Sequence, residues 1–279
     1  MKDLQFGMVA YEKTLDKDFW DSQYKAHTTA WDLGCVSPAI KLFIDTLKDK
    51  NSAILIPGCG NSYEAEYLIE KEFTNITVID IAPSLVKNLH HKFAKNSNIK
   101  IILGDFFEHQ GNYDLIIEQT FFCALPPAKR QKYVYKMHQL LTDFGKIIGL
   151  LFNRNFENGP PFGGNKEAYI ELFKDSFAIL KMENCENSIA PRAESELFIE
   201  LQKNPKLVVN LYEIEGITSS NCMNRILKKM ATLNNIKNGS MNSTFSELLI
   251  VSTVAITTAE LQHLISYDEK YKIKKITTL

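Results

Sequence analysis

Gly58 and Gly60 interrupt the chain between the apolar run 53–57 and the helix-like Ser62-Tyr63-Glu64-Ala65-Glu66-Tyr67-Leu68. That order reads as strand, tight turn and helix, in which glycines let the backbone approach a ligand and the free N–H groups of the helix start point at it. A second apolar strand, Ile76-Thr77-Val78-Ile79-Asp80, ends in an acid about 20 residues after the glycines, the place where an open α/β sheet offers a carboxylate to ribose hydroxyls. A third, Ile99-Lys100-Ile101-Ile102-Leu103, runs into Gly104, Asp105 and Phe106. Asp105 is placed to accept from an adenine amino group and Phe106 to pack on its ring; a turn or helix cap is the alternative for Asp105. Together these residues predict a nucleoside-containing cofactor.

The dinucleotide fingerprint needs a third glycine or alanine, and Tyr63 stands there instead. A pyrophosphate fits poorly, which disfavours a nicotinamide oxidoreductase. S-adenosylmethionine, with a nucleoside and no phosphate, fits better. Both tryptophans, Trp20 and Trp31, precede the first core strand. They are placed to form a lid whose aromatic faces attract a cationic sulfonium; core packing is the alternative.

The elements that must hold these residues alternate between short Val/Ile-rich strands and amphipathic helices, as in a mostly parallel sheet covered on both faces. The strand 113–118 leads into the apolar stretch Gln119-Thr120-Phe121-Phe122-Cys123-Ala124-Leu125-Pro126-Pro127, which is expected to wall the active site. Cys123 has no cationic partner nearby in sequence and reads as an inert hydrophobe. A helix over 128–141, a strand over 146–152 and a loop at 159–164 follow, then a helix near Tyr169 and a finish in hairpin-like strands near 177–183 and 196–202.

Formal net charge is −1 and 45% of residues are apolar, so nucleic acid is a poor partner and the core is ample. No segment has the length and apolarity of a membrane span, and the start lacks a signal-peptide core, so a cytoplasmic protein without membrane partners is expected. The five scattered cysteines include no C-x-x-C pair, and no metal site is expected.

FWDSQY, TAWDLG, ILIPGCGNSYEAEYL, VIDIAP, GDFFEH, YDLIIEQTFFCALPP, LLFN, GPPFGG and SIAPR occur in that order between Phe19 and Leu201. In them the chain resembles the thiopurine S-methyltransferase family, especially bacterial and plant members regarded as thiol or halide methyltransferases. The resemblance implies the class I methyltransferase fold, a Rossmann-like, mostly parallel seven-stranded sheet whose last strand pairs antiparallel, with S-adenosyl-L-methionine as methyl donor. By motif position it implies cofactor contacts from Trp20, Trp31, Gly58, Asp80, Asp105 and Phe106, beside Gly60 from the same turn. Gln119, a further candidate cofactor contact, stands where plant members tend to show tyrosine, and Ala30 where members often carry proline. Tyr169 sits where plant-like members place a substrate-side tyrosine, and Arg192 follows the SIAPR pattern; both are candidate catalytic residues. For Arg192 a carboxylate pair tying the last strands together is the alternative.

From Pro205 the pattern restarts as strand 207–214, helix 221–233, two strands through 236–254, helix 258–266 and strand 271–276, a ferredoxin-like βαββαβ order. Residues 1–204 thus form the expected methyltransferase domain and 205–279 a small α+β unit that resembles a heavy-metal-associated domain. Its metal loop reads Gly216-Ile217-Thr218-Ser219-Ser220-Asn221-Cys222, with serine at the first thiol position. A homodimer through an exposed sheet face or edge of this unit is expected. The expected function is in-line methyl transfer to a small soft nucleophile, a thiol, hydrosulfide, halide or thiopurine-like acceptor. The alternative is a non-catalytic module that senses S-adenosylmethionine or metal.

Overall fold

The computed structural model describes residues 14–266 and 270–275. Two helices, α1 (Lys17–Lys25) and α2 (Pro38–Thr46), precede the sheet. Proline at the first turn of α2 starts it, since its missing N–H lies where the helix has no partner to offer. The sequence pattern had marked no helix there.

Alternation then follows as expected: β1 (Ile54–Pro57), α3 (Tyr63–Glu70), β2 (Ile76–Asp80), α4 (Pro83–Lys92), β3 (Ile99–Leu103), β4 (Tyr113–Gln119), α5 (Arg130–Leu140) and β5 (Leu141–Phe152). After these come α6 (Lys166–Phe173), β6 (Phe177–Asn184) and β7 (Glu196–Lys203). The strands order β3-β2-β1-β4-β5-β7-β6, parallel except for β7, which runs antiparallel to both β5 and β6. β1 and β2 are buried along their whole length because helices cover both faces, and this explains their unbroken apolar sequences. The order reverses between β1 and β4, so the crevice for a ligand opens beyond the carboxyl ends of those two strands.

The remaining residues form β8 (Val208–Glu215), α7 (Ser220–Met230), β9 (Ile236–Met241), β10 (Glu247–Ser252), α8 (Thr258–Ile265) and β11 (Lys272–Lys275). Their four strands make a separate antiparallel sheet in the order β11-β8-β10-β9. Ile276, placed at the end of the last strand by the sequence pattern, lies outside the described residues. One face of this sheet packs on α7 and α8 through Tyr212, Ile214, Leu248 and Ile250. The other face is not open: Val209, Leu211, Leu249 and Val251 join the same apolar cluster as Tyr133, Val134, Met137 and Leu140 of α5. Gln131 donates to Ser240 Oγ (2.8 Å) and Gln139 to the Val209 carbonyl (3.1 Å), fastening the contact. α5 is therefore covered on two sides, by the parallel sheet and by the antiparallel one.

Candidate active site

Gly58 and Gly60 both adopt positive φ, +53° and +51°. A side chain at Gly58 would also overlap the Phe121 ring, so close approach of β1 and the loop after β4 excludes one there. The turn brings the Gly60 N–H to Asp80 Oδ2 (3.2 Å), while Ala82 N–H reaches Oδ1 (3.0 Å). These two bonds fix the carboxylate at the end of β2. Asp80 is 7% exposed and burial raises its pKa. It lines a cavity of about 860 Å³ that opens over the carboxyl ends of the strands.

At the end of β3, Asp105 and Phe106 line the same cavity. Asp105 Oδ1 accepts from Phe107 N–H (2.8 Å) and caps a single 3₁₀ turn over Phe106–Glu108, so the capping alternative holds together with the cavity position. Phe106 is locked edge-on against Phe107 and Phe121, with ring centroids 5.4 and 5.0 Å away.

Trp20 and Trp31 line the opposite side, their rings edge to face at 5.6 Å, with Tyr24 edge-on to Trp31 at 5.9 Å. Tyr24 also lines the cavity and was not singled out from sequence; its signal was its place one helical turn after Trp20 on the same face of α1. This segment is held at three points. Asp21 accepts from the Ser84 backbone (2.7 Å) and hydroxyl (2.6 Å) at the start of α4, and Lys25 together with Ser84 holds its pKa down at about 2. Asn61, directly after the glycine turn, donates to Asp32. The third tie is Arg192, whose guanidinium donates to the Trp31 carbonyl (2.8 Å).

Residues after β4 and β5 form the other end of the cavity: Gln119, Phe121, Cys123, Leu125, Phe152, Phe156 and the prolines Pro160 and Pro161. Gln119 is notable because neither its amide oxygen nor its nitrogen has a hydrogen-bond partner among the described residues although both are buried. An amide desolvated in this way is costly unless a ligand completes its bonds. Behind this wall, Glu118 is fully buried and accepts from the N–H groups of Phe121 (2.9 Å) and Phe122 (2.8 Å) and the Tyr133 hydroxyl (3.0 Å). Burial raises its pKa to about 7. Burial also raises the Cys123 thiol, which donates to the Thr120 carbonyl (3.2 Å), so it is a neutral wall residue.

The two candidate catalytic residues part company. Arg192 lines the cavity, pairs with Glu196 (3.3 Å) and lies over the Phe152 ring at 5.3 Å, which makes it both the strand tie read as an alternative and a cavity residue. Tyr169 does not line it. Its ring is buried against Phe122 and its hydroxyl donates to the Phe152 carbonyl (2.9 Å), so it braces the end of β5. The reason is geometric: α6 presents Tyr169 to the inner side of the wall. Arg130, also missed from sequence, reaches across to the Gly163 carbonyl (2.7 Å) and stacks over Phe122, closing the loop 159–164 onto the wall. His109 bonds Tyr113 (2.7 Å), and burial lowers the pKa of His138 to about 3; neither lines the cavity.

The residues fit S-adenosylmethionine in kind: a fixed carboxylate, an aromatic group around Phe106, the rings of Trp20, Tyr24 and Trp31 and the Gln119 amide all line one cavity over the switch point. Among the described residues no cluster of three or more His, Cys, Asp or Glu is arranged to hold a metal ion, and no helix is long and apolar enough to cross a membrane.

Residues 15–207 match the thiopurine S-methyltransferase family. A probable thiol methyltransferase 2 of Arabidopsis thaliana is 30% identical over 63% of this chain and 81% of its own length. Thiocyanate methyltransferase 1 of Brassica oleracea is 25% identical over 66% and 84%. Among solved structures, the Burkholderia thailandensis 1,6-didemethyltoxoflavin-N1-methyltransferase with bound S-adenosylhomocysteine superposes with a TM-score of 0.56 at 14% identity, over 67% of this chain and 87% of that one. A glycine turn, a buried acid and an aromatic slot on a seven-stranded sheet thus carry the same assignment as the sequence match, and the chain belongs to the thiopurine S-methyltransferase family of S-adenosylmethionine-dependent methyltransferases.

Proposed function

We propose that the methyl acceptor is a small soft nucleophile that reaches the site already anionic: a thiolate, hydrosulfide, halide or thiopurine-like sulfur. One observation carries this reading. From Gln119 onward, the described cavity-lining residues include no histidine and no carboxylate, so nothing on that side is built to remove a proton. When bound, S-adenosylmethionine supplies an electrophilic methyl group on a positively charged sulfur. The acceptor's lone pair forms the new bond to that carbon as the carbon–sulfonium bond breaks, leaving a neutral thioether and no proton to place. The chain's share is alignment and water exclusion: Trp20, Tyr24 and Trp31 present ring faces toward the cation, while Phe121, Leu125, Phe152 and Phe156 desolvate the anion. Names of the relatives, thiol and thiocyanate methyltransferases, support the same class. A methyl-transfer screen over thiols, hydrosulfide, halides, thiopurines and a set of amines and alcohols tests it. Turnover confined to sulfur and halide acceptors is expected; turnover confined to amines or alcohols would overturn it.

We further propose that residues 205–279 are a ferredoxin-like unit, similar to a heavy-metal-associated domain that no longer chelates. Its element order and strand order support this. Ser219, at the first thiol position, caps α7 and donates to Cys222 Sγ (3.3 Å). One thiol is too few for a soft ion within a chain. Stoichiometric Cu(I) binding that disappears in Cys222→Ser would contradict this. Since α5 occupies one sheet face, a homodimer through this unit is proposed only at a strand edge, of which β9 is the one without alternating lysines. A reducing, cytoplasmic setting suits five free cysteines.

A further inference from the structure

The cavity is divided by charge. Its acids, Asp16, Asp32, Glu64, Asp80 and Asp105, all come from the N-terminal segment and the ends of β1, β2 and β3, where the cationic cofactor fits. From Gln119 onward the charged lining residues are Lys129, Arg154 and Arg192, all positive. Of these, Arg192 is engaged by Glu196 and the Trp31 carbonyl. Lys129 and Arg154 are different. Both are exposed at the rim, and neither forms an ion pair among the described residues. Each instead lies over an aromatic ring, Lys129 at 5.5 Å from Phe107 and Arg154 at 4.8 Å from Phe156. Ring stacking holds a cation in place without neutralising it.

Size adds a second constraint. A cavity of about 860 Å³ lies near the top of the range of roughly 300–1,000 Å³ that one organic ligand fills, so cofactor and an atom-sized anion together would leave the aromatic wall uncovered. The buried Gln119 amide, the exposed Arg154 and the rings of Phe121, Phe152 and Phe156 line the same cavity, with Arg154 directly over Phe156. That lining offers an acceptor a buried amide, apolar rings and an exposed guanidinium.

We infer that the acceptor is an organic thiolate with an apolar body and a carboxylate at its far end, the carboxylate recognised by Arg154 at the mouth of the cavity; Lys129, over Phe107 beside the Phe106 slot, lies at the cofactor's end. The inference rests on the soft-nucleophile reading above and narrows it. In this arrangement the thiolate reaches inward past Phe152 to the methyl carbon, and the carboxylate stays half-solvated at the rim. Arg154 is suited to this by its planar, two-pronged donor set. The thiolate gains the methyl group, the thioether of the spent cofactor leaves, and the carboxylate is unchanged. Both cations also raise the encounter rate for a doubly negative acceptor.

The test compares para-mercaptobenzoate with para-mercaptobenzamide, which share body and thiol and differ in charge, using the full-length protein. KM for the carboxylate is expected to be about fivefold below that for the amide, the contribution of one exposed cation, and the gap is expected to shrink with added salt. In Arg154→Gln the two KM values converge, and in Arg154→Glu the order inverts. S-adenosylhomocysteine affinity by calorimetry stays constant in all variants and reports that they are folded. Equal KM values in the unaltered protein, or a carboxylate preference that survives Arg154→Gln, would overturn the inference while leaving the soft-nucleophile reading intact. If no sulfur or halide acceptor at all turns over while S-adenosylhomocysteine binds, the soft-nucleophile reading fails and the inference with it.

Discussion

Asp80→Ala is expected to weaken S-adenosylhomocysteine binding by about 2–5 kcal/mol, roughly 30-fold to a few thousand-fold, through loss of two charge-assisted hydrogen bonds to the ribose diol. The carboxylate is held by Gly60 and Ala82 N–H groups, so its oxygens are already oriented before the cofactor arrives. Asp80→Asn separates binding from folding. Burial raises the pKa of Asp80 in the folded state, so whatever stability it contributes is present at acid pH and is lost as pH rises through that folded value. Asparagine does not ionise, but it sets its NH2 group against one of the two backbone N–H donors that hold the carboxylate. The apo protein with asparagine is expected to stay folded with a somewhat lower unfolding temperature, and to bind the cofactor product more weakly. Acidification should have a related effect on the unaltered protein, since ribose recognition needs the ionised form: affinity should fall at a pH above the range in which an exposed aspartate titrates. Calorimetry across pH checks both, and full affinity in a folded Asp80→Ala variant would remove Asp80 from the site.

Ending the chain after Asn204 should abolish cooperative folding, although the family match ends at 207. Val209, Leu211, Leu249 and Val251 are each buried to within 4% and pack on α5. Fully burying such a side chain stabilises by about 1.5–3 kcal/mol, and the four together rival the roughly 5–15 kcal/mol of net stability usual for a domain. Leu249→Asp in the full chain should act in the same direction by placing an unpaired charge in that contact. Circular dichroism melts report the outcome. A truncated chain that melts cooperatively at the temperature of the full chain and binds S-adenosylhomocysteine would show that α5 needs no second cover.

Strand ends were legible because each carries its own local signal: unbroken apolar runs for β1 and β2, glycines where φ is positive, acids at fixed spacing. Gly58, Gly60, Asp80, Asp105 and Phe106 all line the cavity for that reason. Tyr169 failed differently. A motif position gives a residue's place along α6, but the side of the wall it faces depends on how α6 docks on β5, which is a tertiary fact. Arg154 carried no signal as an exposed cation on an irregular segment; only the closed cavity shows that it lines the site. The second cover of α5 was hinted at, since Tyr133, Val134, Tyr135 and Met137 point around the helix and not along one stripe, a pattern that belongs to a helix buried on more than one side.

That two-sided burial also orders events during synthesis. A chain emerges N-terminus first at roughly 5–20 residues per second. The glycine turn, Asp80 and all the strands of the seven-stranded sheet are therefore made before β8 and β10, which bring Val209, Leu211, Leu249 and Val251 to the outer side of α5. For an interval on the order of ten seconds at those rates the nascent protein displays an apolar helix face beside a nearly complete cofactor crevice. The cover of α5 is thus completed late, and the nascent chain is most exposed to aggregation or chaperone capture until β8 and β10 have emerged.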